Sequence, residues 1–407
     1  MFPGNRNRRL YSRIAAFLVV LVAATPGLAF AGEWRGNVDA DAWWFFHDAS
    51  DPRQSNGNLS LAFEPEYFHD WDDGDQRFVF APFLRLDQRD DERTHADIRE
   101  LFWRKSFESA ELLVGFGKVF WGVTELRHLV DIINQTDLVE NLDGEQKLGQ
   151  PMVQLTLLRD WGTLDFFAMP YFRERTFTGP DGRPRPPLYV DTDNPVYESS
   201  AEQTHFDYAA RWSHYFGEFD VGLAFFSGTS REPRLLPGLN SQGEPVLIPN
   251  YDLIDQLSLD AQATLGSWLL KLEAIGRDTP QETFFAATGG FEYTLVGLFD
   301  TAIDLGLLAE YLYDDSSDLF LVTPFDDDIF LGTRLAFNDT QSTELLVGFS
   351  QDLNNDSIFF NVEGSRRIGQ SWKAGLQVRI FNNDEPTDAF FAFRNEDYAE
   401  FKISKYF

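Results

Sequence analysis

From Glu33 onward the chain alternates between apolar and polar positions. Trp34, Val38, Ala40, Ala42 and Trp44 share one parity, and Arg35, Asn37, Asp39 and Asp41 take the other. Further along, Leu257, Leu259, Ala261, Ala263 and Leu265 oppose Ser258, Asp260, Gln262 and Thr264, and Trp268, Leu270, Leu272 and Ala274 oppose Lys271 and Glu273. The pattern returns in Ile303, Leu305, Leu307, Ala309, Tyr311 and Tyr313 against Asp304, Gly306 and Glu310. Ile329, Leu331, Leu335 and Phe337 oppose Gly332 and Arg334, and Trp372, Ala374, Leu376, Val378 and Ile380 oppose Lys373, Gly375, Gln377 and Arg379. A period of two places successive side chains on opposite faces of a strand. Several runs reach about ten residues, roughly twice the usual strand of a soluble sheet, which is the length a tilted strand needs to cross a bilayer.

The connections alternate too. Short turns at Phe216-Gly217-Glu218, Gly266-Ser267, Asn338 to Ser342 and Gly369-Gln370-Ser371 are interleaved with longer polar stretches, the asymmetry of periplasmic turns and extracellular loops. The longest, Glu174 to Gln203 and Thr229 to Tyr251, are rich in proline and are expected to contain no buried strand. Counting from Trp34 predicts an all-β fold, a transmembrane antiparallel up-and-down barrel of about 18 strands, with 16 or 14 as alternatives. The weakest segments are Leu59 to Phe68, interrupted by Pro65, and Phe390 to Phe407, where the start of the strand is unmarked. With no linker and no repeat beyond the hairpin, residues 32–407 form one domain. The pairs Trp43-Trp44, Phe45-Phe46, Phe120-Trp121, Phe225-Phe226, Phe284-Phe285 and Phe359-Phe360 are expected in interfacial aromatic belts.

Composition agrees with this pattern. Aromatic residues make up 15% of the chain, yet the mean hydropathy is −0.29 and no segment beyond the N-terminus offers the roughly 20 apolar residues of a membrane helix. A barrel escapes that limit because only alternate residues meet lipid. At the N-terminus, Arg6, Arg8, Arg9 and Arg13 precede an apolar run, Ile14 to Phe30, that ends in Ala29-Phe30-Ala31. This predicts a cleaved signal peptide over residues 1–31. Its removal makes the exported chain four charges more negative than the formal −31, which excludes nucleic acid as a partner. Cysteine is absent, so neither disulfides nor cysteine chemistry contributes.

Two motifs carry a resemblance. Phe407, Ile403, Phe401 and Ala399 share one parity at the C-terminus. That run resembles the terminal strand by which the barrel assembly machinery recognises outer-membrane proteins, with Phe401, Ile403 and Phe407 as the signal. Lys405 departs from it, standing where an aromatic or apolar residue is usual. The second motif is Asp97 to Trp103, then Leu113 to Gly122 with Trp121-Gly122 at its end, then Asp131-Ile132-Ile133-Asn134. It resembles a group of poorly characterised porin-like outer-membrane barrels of Gram-negative bacteria, some associated with export. The resemblance covers about forty residues and implies passage of small solutes, by passive diffusion or linked to an inner-membrane exporter.

Leu126, Leu129, Val130, Ile133 and Leu138 recur at near-helical spacing within Val123 to Lys147, so part of this segment is expected to be a short helix. So apolar a loop is expected to fold into the lumen and constrict it, the alternative being a helix that caps the outer rim. Asp131, Asp137, Arg127 and Lys118 are the constriction candidates. The polar parity nominates Asp207, Arg211, Asp260, Lys271, Glu273, Asp304, Glu310, Arg334, Glu363, Lys373, Arg379, Glu400 and Lys402 as lumen-lining, where rings of charge set selectivity or pair to stiffen the wall. The excess of carboxylates favours cations or neutral solutes. Asp314-Asp315, Asp326-Asp327-Asp328 and Asp352 to Asp356 are expected in solvated loops without the spacing of an EF-hand.

No cofactor and no metal is implied. Six scattered histidines, with no Gly-x-Ser-x-Gly elbow and no His-Glu-x-x-His helix, leave a barrel-borne hydrolase as a weaker alternative, beside a nonconducting adhesin or assembly factor. Expected partners are outer-membrane lipid and lipopolysaccharide, the barrel assembly machinery and an inner-membrane exporter. The oligomeric state is open.

Overall fold

The computed structural model describes residues 32–316, 325–383, 385–386 and 388–407. The expected signal peptide lies outside them. The strands are β1 (Glu33–Phe45), β2 (Gly57–Trp71), β3 (Gln76–Asp87), β4 (Ala96–Phe107), β5 (Ala110–Gly117), β6 (Gln150–Arg159) and β7 (Gly162–Met169). There follow β8 (Val196–Tyr197), β9 (Asp207–Phe216), β10 (Phe219–Thr229), β11 (Arg234–Leu239), β12 (Pro245–Tyr251), β13 (Leu253–Leu265) and β14 (Trp268–Asp278). The last are β15 (Thr283–Leu295), β16 (Asp304–Asp314), β17 (Asp327–Ala336), β18 (Glu344–Asp352), β19 (Ile358–Ile368), β20 (Trp372–Asn382) and β21 (Tyr398–Tyr406).

All but β8, β11 and β12 belong to one 18-stranded antiparallel sheet in which each strand pairs with the next. Pairing of β21 with β1, from Asn37 opposite Tyr406 to Phe45 opposite Tyr398, closes it into a barrel. Closure leaves no free edge, so every strand has partners on both sides.

Period two decides which side chains enter. On β13, Leu257 is 65% exposed on the outside while Gln256 is 0% exposed inside. On β14, Leu270 and Leu272 face outward and Glu273, Ile275 and Arg277 are buried. Tight turns join the strands at one end, with Gly217 and Gly266 at φ of 63° and 64°, a left-handed conformation that side chains disfavour. Pro65 is accommodated because β2 stays paired with β1 there, opposite Gly36. Its ladder with β3 breaks between Phe63 and Tyr67, where the missing N–H of proline costs nothing.

Three expectations are corrected. The two proline-rich loops do hold strands: β8, β11 and β12 form a separate three-stranded sheet that buries Val246 and Tyr251. The aromatic pairs are not simply belts, because alternation sends one ring of each pair inward. Trp43, Phe45, Trp121, Phe226, Phe284 and Phe359 are all buried and join two apolar clusters within the barrel. Finally, the segment from Val123 to Lys147 contains no helix; it runs as turns, bends and isolated bridges.

Candidate functional site

Residues 118–149 leave β5, cross the barrel interior and return to β6. Asn134 closes the base of this loop: its Oδ1 accepts from Val119 N at 2.8 Å, and its Nδ2 donates to the carbonyls of Gly117 at 2.9 Å and Leu148 at 2.8 Å. Asp131, three residues earlier, accepts from Trp121 N at 3.3 Å and lies 3.1 Å from the Lys147 ammonium. The Asp-x-x-Asn segment is therefore a clamp that joins the two ends of the loop.

The far wall holds the loop through carboxylates. Glu273 of β14 accepts from Val123 N at 2.7 Å, Thr124 N at 3.0 Å, Thr124 Oγ1 at 2.7 Å and Val130 N at 3.2 Å. Glu310 of β16 accepts from Glu125 N at 2.8 Å and Leu126 N at 3.2 Å. Arg231, just beyond β10, donates to the Ile133 carbonyl at 3.2 Å. A helix is absent because amides inside the segment are committed elsewhere: Val130 N donates to Glu273, Asp137 N to the Gln146 carbonyl and Val139 N to Thr176 Oγ1, so the bonds to carbonyls four residues back are not made.

The other side of the loop reaches the opposite wall. Asp137 meets Arg99 of β4 at 2.6 Å, Glu140 meets Arg85 of β3 at 2.7 Å, and Asn141 donates to Gln377 of β20 at 3.0 Å. Arg85 also pairs with Asp41 of β1. The segment thus spans the lumen and is fixed at both walls.

Between the loop and the wall lies a cavity of about 650 Å³, lined by phenylalanines and by charged groups. The charges are largely matched. Arg127 pairs with Asp314 at 2.7 Å, Arg277 with Glu232 at 2.6 Å, Arg231 with Asp207 at 2.6 Å, and Arg334 with Glu125 at 2.6 Å. Burial alone would lower the His128 imidazole, but the hydrogen bond to Glu145 at 3.1 Å and the Glu273 carboxylate 3.8 Å away outweigh it and hold the group up at about 9. Burial pushes the Asp131 carboxyl up despite the nearby Lys147.

Of the constriction candidates, Asp131, Asp137 and Arg127 lie in the crossing segment, each ion-paired, while Lys118 is exposed and lies off the cavity. Of the lumen-lining candidates, Arg211 pairs with Asp260, Lys271 lies 3.6 Å from Glu125, Glu363 is 3.4 Å from Arg379, and Lys402 is 3.8 Å from Asp41. Glu400 is buried. Asp304 binds Asn338 and Gly297 N at the rim, and Lys373 is exposed near the same end of its strand as the Gly369 turn. Phe401 and Ile403 face outward, and Phe407 stacks on Phe63 at 6.0 Å. The expectation that the acidic clusters are solvated loops fails for Asp314, Asp328 and Asp352, which end strands and are buried.

Arg85, Arg99, Glu125, Glu140 and Arg231 hold the loop but were not among the candidates. The parity of Leu84-Arg85-Leu86 could have exposed Arg85. Arg231 and Glu140 stand in irregular segments with no period to read. His95 Nε2 lies 3.8 Å from Asp137 and 3.6 Å from Glu140, a trio of metal-ligand types. Arg99 and Arg85 already neutralise both carboxylates, so the geometry favours an ion-pair network there over a divalent cation.

No protein-family model matches the chain, and no curated protein matches it in sequence. Solved porins are similar in structure. A triple mutant of Rh. blastica porin is 11% identical, with a TM-score of 0.45 over 92% of this chain and 100% of that one. Pseudomonas putida OprB at high pH is 10% identical, with a TM-score of 0.47 over 92% of this chain and 94% of that one. The closed barrel itself rests on the strand pairing of this chain.

Proposed function

We propose that this chain is an exported outer-membrane channel through which small solutes pass, and that the segment from Val123 to Lys147 narrows it. The observation that carries this reading is a loop fixed to both walls inside a closed barrel whose outside is apolar. Leu257, Trp268, Leu270, Leu272, Phe401 and Ile403 stand on outward faces, and a continuous apolar surface of that kind is unfavourable in water. In lipid it is favourable, because a closed barrel satisfies every strand's backbone hydrogen bonds internally. The outward band would meet lipid and lipopolysaccharide, and the terminal strand would be read by the barrel assembly machinery.

Export through a signal peptide and cooperation with an inner-membrane exporter belong to the same proposal. Polar, charge-paired walls and a crossing loop suit a water-filled path better than a nonconducting adhesin. The test is deletion of residues 123–147 with a short linker, followed by planar-bilayer recording. Higher single-channel conductance from a folded barrel supports the reading, because the narrowest section dominates the resistance. Unaltered conductance would place the loop outside the path.

A further inference from the structure

The cavity beneath the loop is lined by both aromatic rings and guanidinium groups. Phe325, Phe330, Phe359, Phe381, Phe390 and Phe393 line it, with Phe359 and Phe390 stacked at 5.5 Å. The guanidinium groups of Arg127, Arg175, Arg231, Arg277 and Arg379 line it too, with Arg379 over the Phe359 ring at 5.8 Å and Arg127 donating to the Phe325 carbonyl at 3.2 Å. Four of these five have carboxylate partners: Asp314, Asp207, Glu232, and the pair Asp143 and Glu363.

Arg175 differs. Its Nε donates to Gln135 Oε1 at 3.1 Å, and among the described residues no carboxylate lies within ion-pairing distance of it. The bond to Gln135 fixes the plane of the guanidinium and leaves its two terminal nitrogens for another acceptor. Burial pushes the Arg175 guanidinium pKa down, and the Glu232 carboxylate, which pairs directly with Arg277, offsets this only in part.

We propose that this cavity binds an amphipathic monoanion, an aromatic carboxylate, with its carboxylate on Arg175 and its ring against the phenylalanine wall. This rests on the channel reading and names the class of solute. A planar guanidinium matches a carboxylate in two parallel hydrogen bonds, and a bound carboxylate would supply the direct ion pair that Arg175 does not make with the wall. Aromatic faces favour a ring over water by stacking and by burial of apolar area. A sugar leaves the phenylalanines without an apolar partner, and a small inorganic anion has no apolar part to set against them. A volume of about 650 Å³ lies within the range of sites that enclose small organic ligands.

The experiment is calorimetric titration of the folded, detergent-solubilised full chain with phenylacetate, acetate and phenylethanol. Phenylacetate should bind about tenfold or more tightly than either probe that lacks one half of it. Arg175→Gln should abolish the preference over phenylethanol, while Arg175→Lys, which keeps the charge, should retain part of it. Phe393→Ala should weaken phenylacetate and leave acetate unchanged. Equal binding of all three probes by the wild-type chain, or full phenylacetate affinity in Arg175→Gln, would overturn the proposal. If Arg175→Gln does not fold, the wild-type preference and the other two variants decide. Bilayer recording in potassium chloride separates this site from the channel reading. Binding without conductance refutes the channel and leaves the site, whereas conductance without selective binding refutes the site alone.

Discussion

Thr124 donates twice to Glu273, from its backbone N–H at 3.0 Å and from its hydroxyl at 2.7 Å, so a loop residue and a wall residue 149 positions apart share one buried joint. Neither Glu273 nor Thr124 is exposed, and Val123 and Val130 donate to the same carboxylate.

Glu273→Ala should therefore release the loop from the wall. Each buried donor left unpaired costs about 1–3 kcal/mol, and four donors converge here. Single-channel traces should become noisier with a higher mean conductance, while the unheated barrel still migrates as a folded species. Quiet traces of wild-type size would mean that the remaining contacts hold the loop without Glu273.

Arg85→Met should destabilise the whole barrel near β1, β3 and the loop. Arg85 is 2% exposed and lies between Asp41 and Glu140. Its removal strands two buried carboxylates, a loss of about 3–5 kcal/mol. The temperature at which the folded band disappears on an electrophoretic gel should drop clearly; an unchanged temperature would show that Arg93 and Lys402 suffice to neutralise Asp41.

Raising pH should loosen the loop through His128. Its folded pKa of about 9 lies above the ordinary value of about 6.5. The stabilisation from the charged ring is thus complete below about pH 6.5 and is lost as pH rises through about 9. Conductance noise recorded between about pH 7 and about pH 10 should increase across that window in the wild type. His128→Gln should remove the step, and a step that survives it belongs to another group.

Deleting Phe407 should reduce outer-membrane assembly and leave export across the inner membrane intact. Phe407 N donates to the Gly36 carbonyl at 3.0 Å, and Gly36 N donates to the Phe407 carbonyl at 3.2 Å, so this residue completes the closing seam with β1. Lys405, the departure from the usual signal, directs its ammonium to Ser371 and the face of Trp372 at the rim, as long basic side chains do at a membrane boundary. Unchanged outer-membrane levels after the deletion would show that the seam forms without the terminal residue.

The barrel was legible in the sequence because strand alternation is local: the parity that places Leu272 outside also places Lys271 and Glu273 inside, and no distant residue is needed to read it. The number of strands followed from counting such runs, and Asp131 and Asn134 were visible as a motif though not as a clamp. Tertiary structure decided the rest. Whether Glu273 lines an open wall or seats a loop depends on Val123, Thr124 and Val130, which come from another part of the chain. The near-helical spacing from Leu126 to Leu138 misled because distant acceptors, the Glu273 carboxylate for Val130 N and the Gln146 carbonyl for Asp137 N, took amides from inside the span. Arg175 and Arg231 lie in segments with no period, so only the folded barrel could show that Arg231 pairs with Asp207 while Arg175 makes no carboxylate ion pair among the described residues.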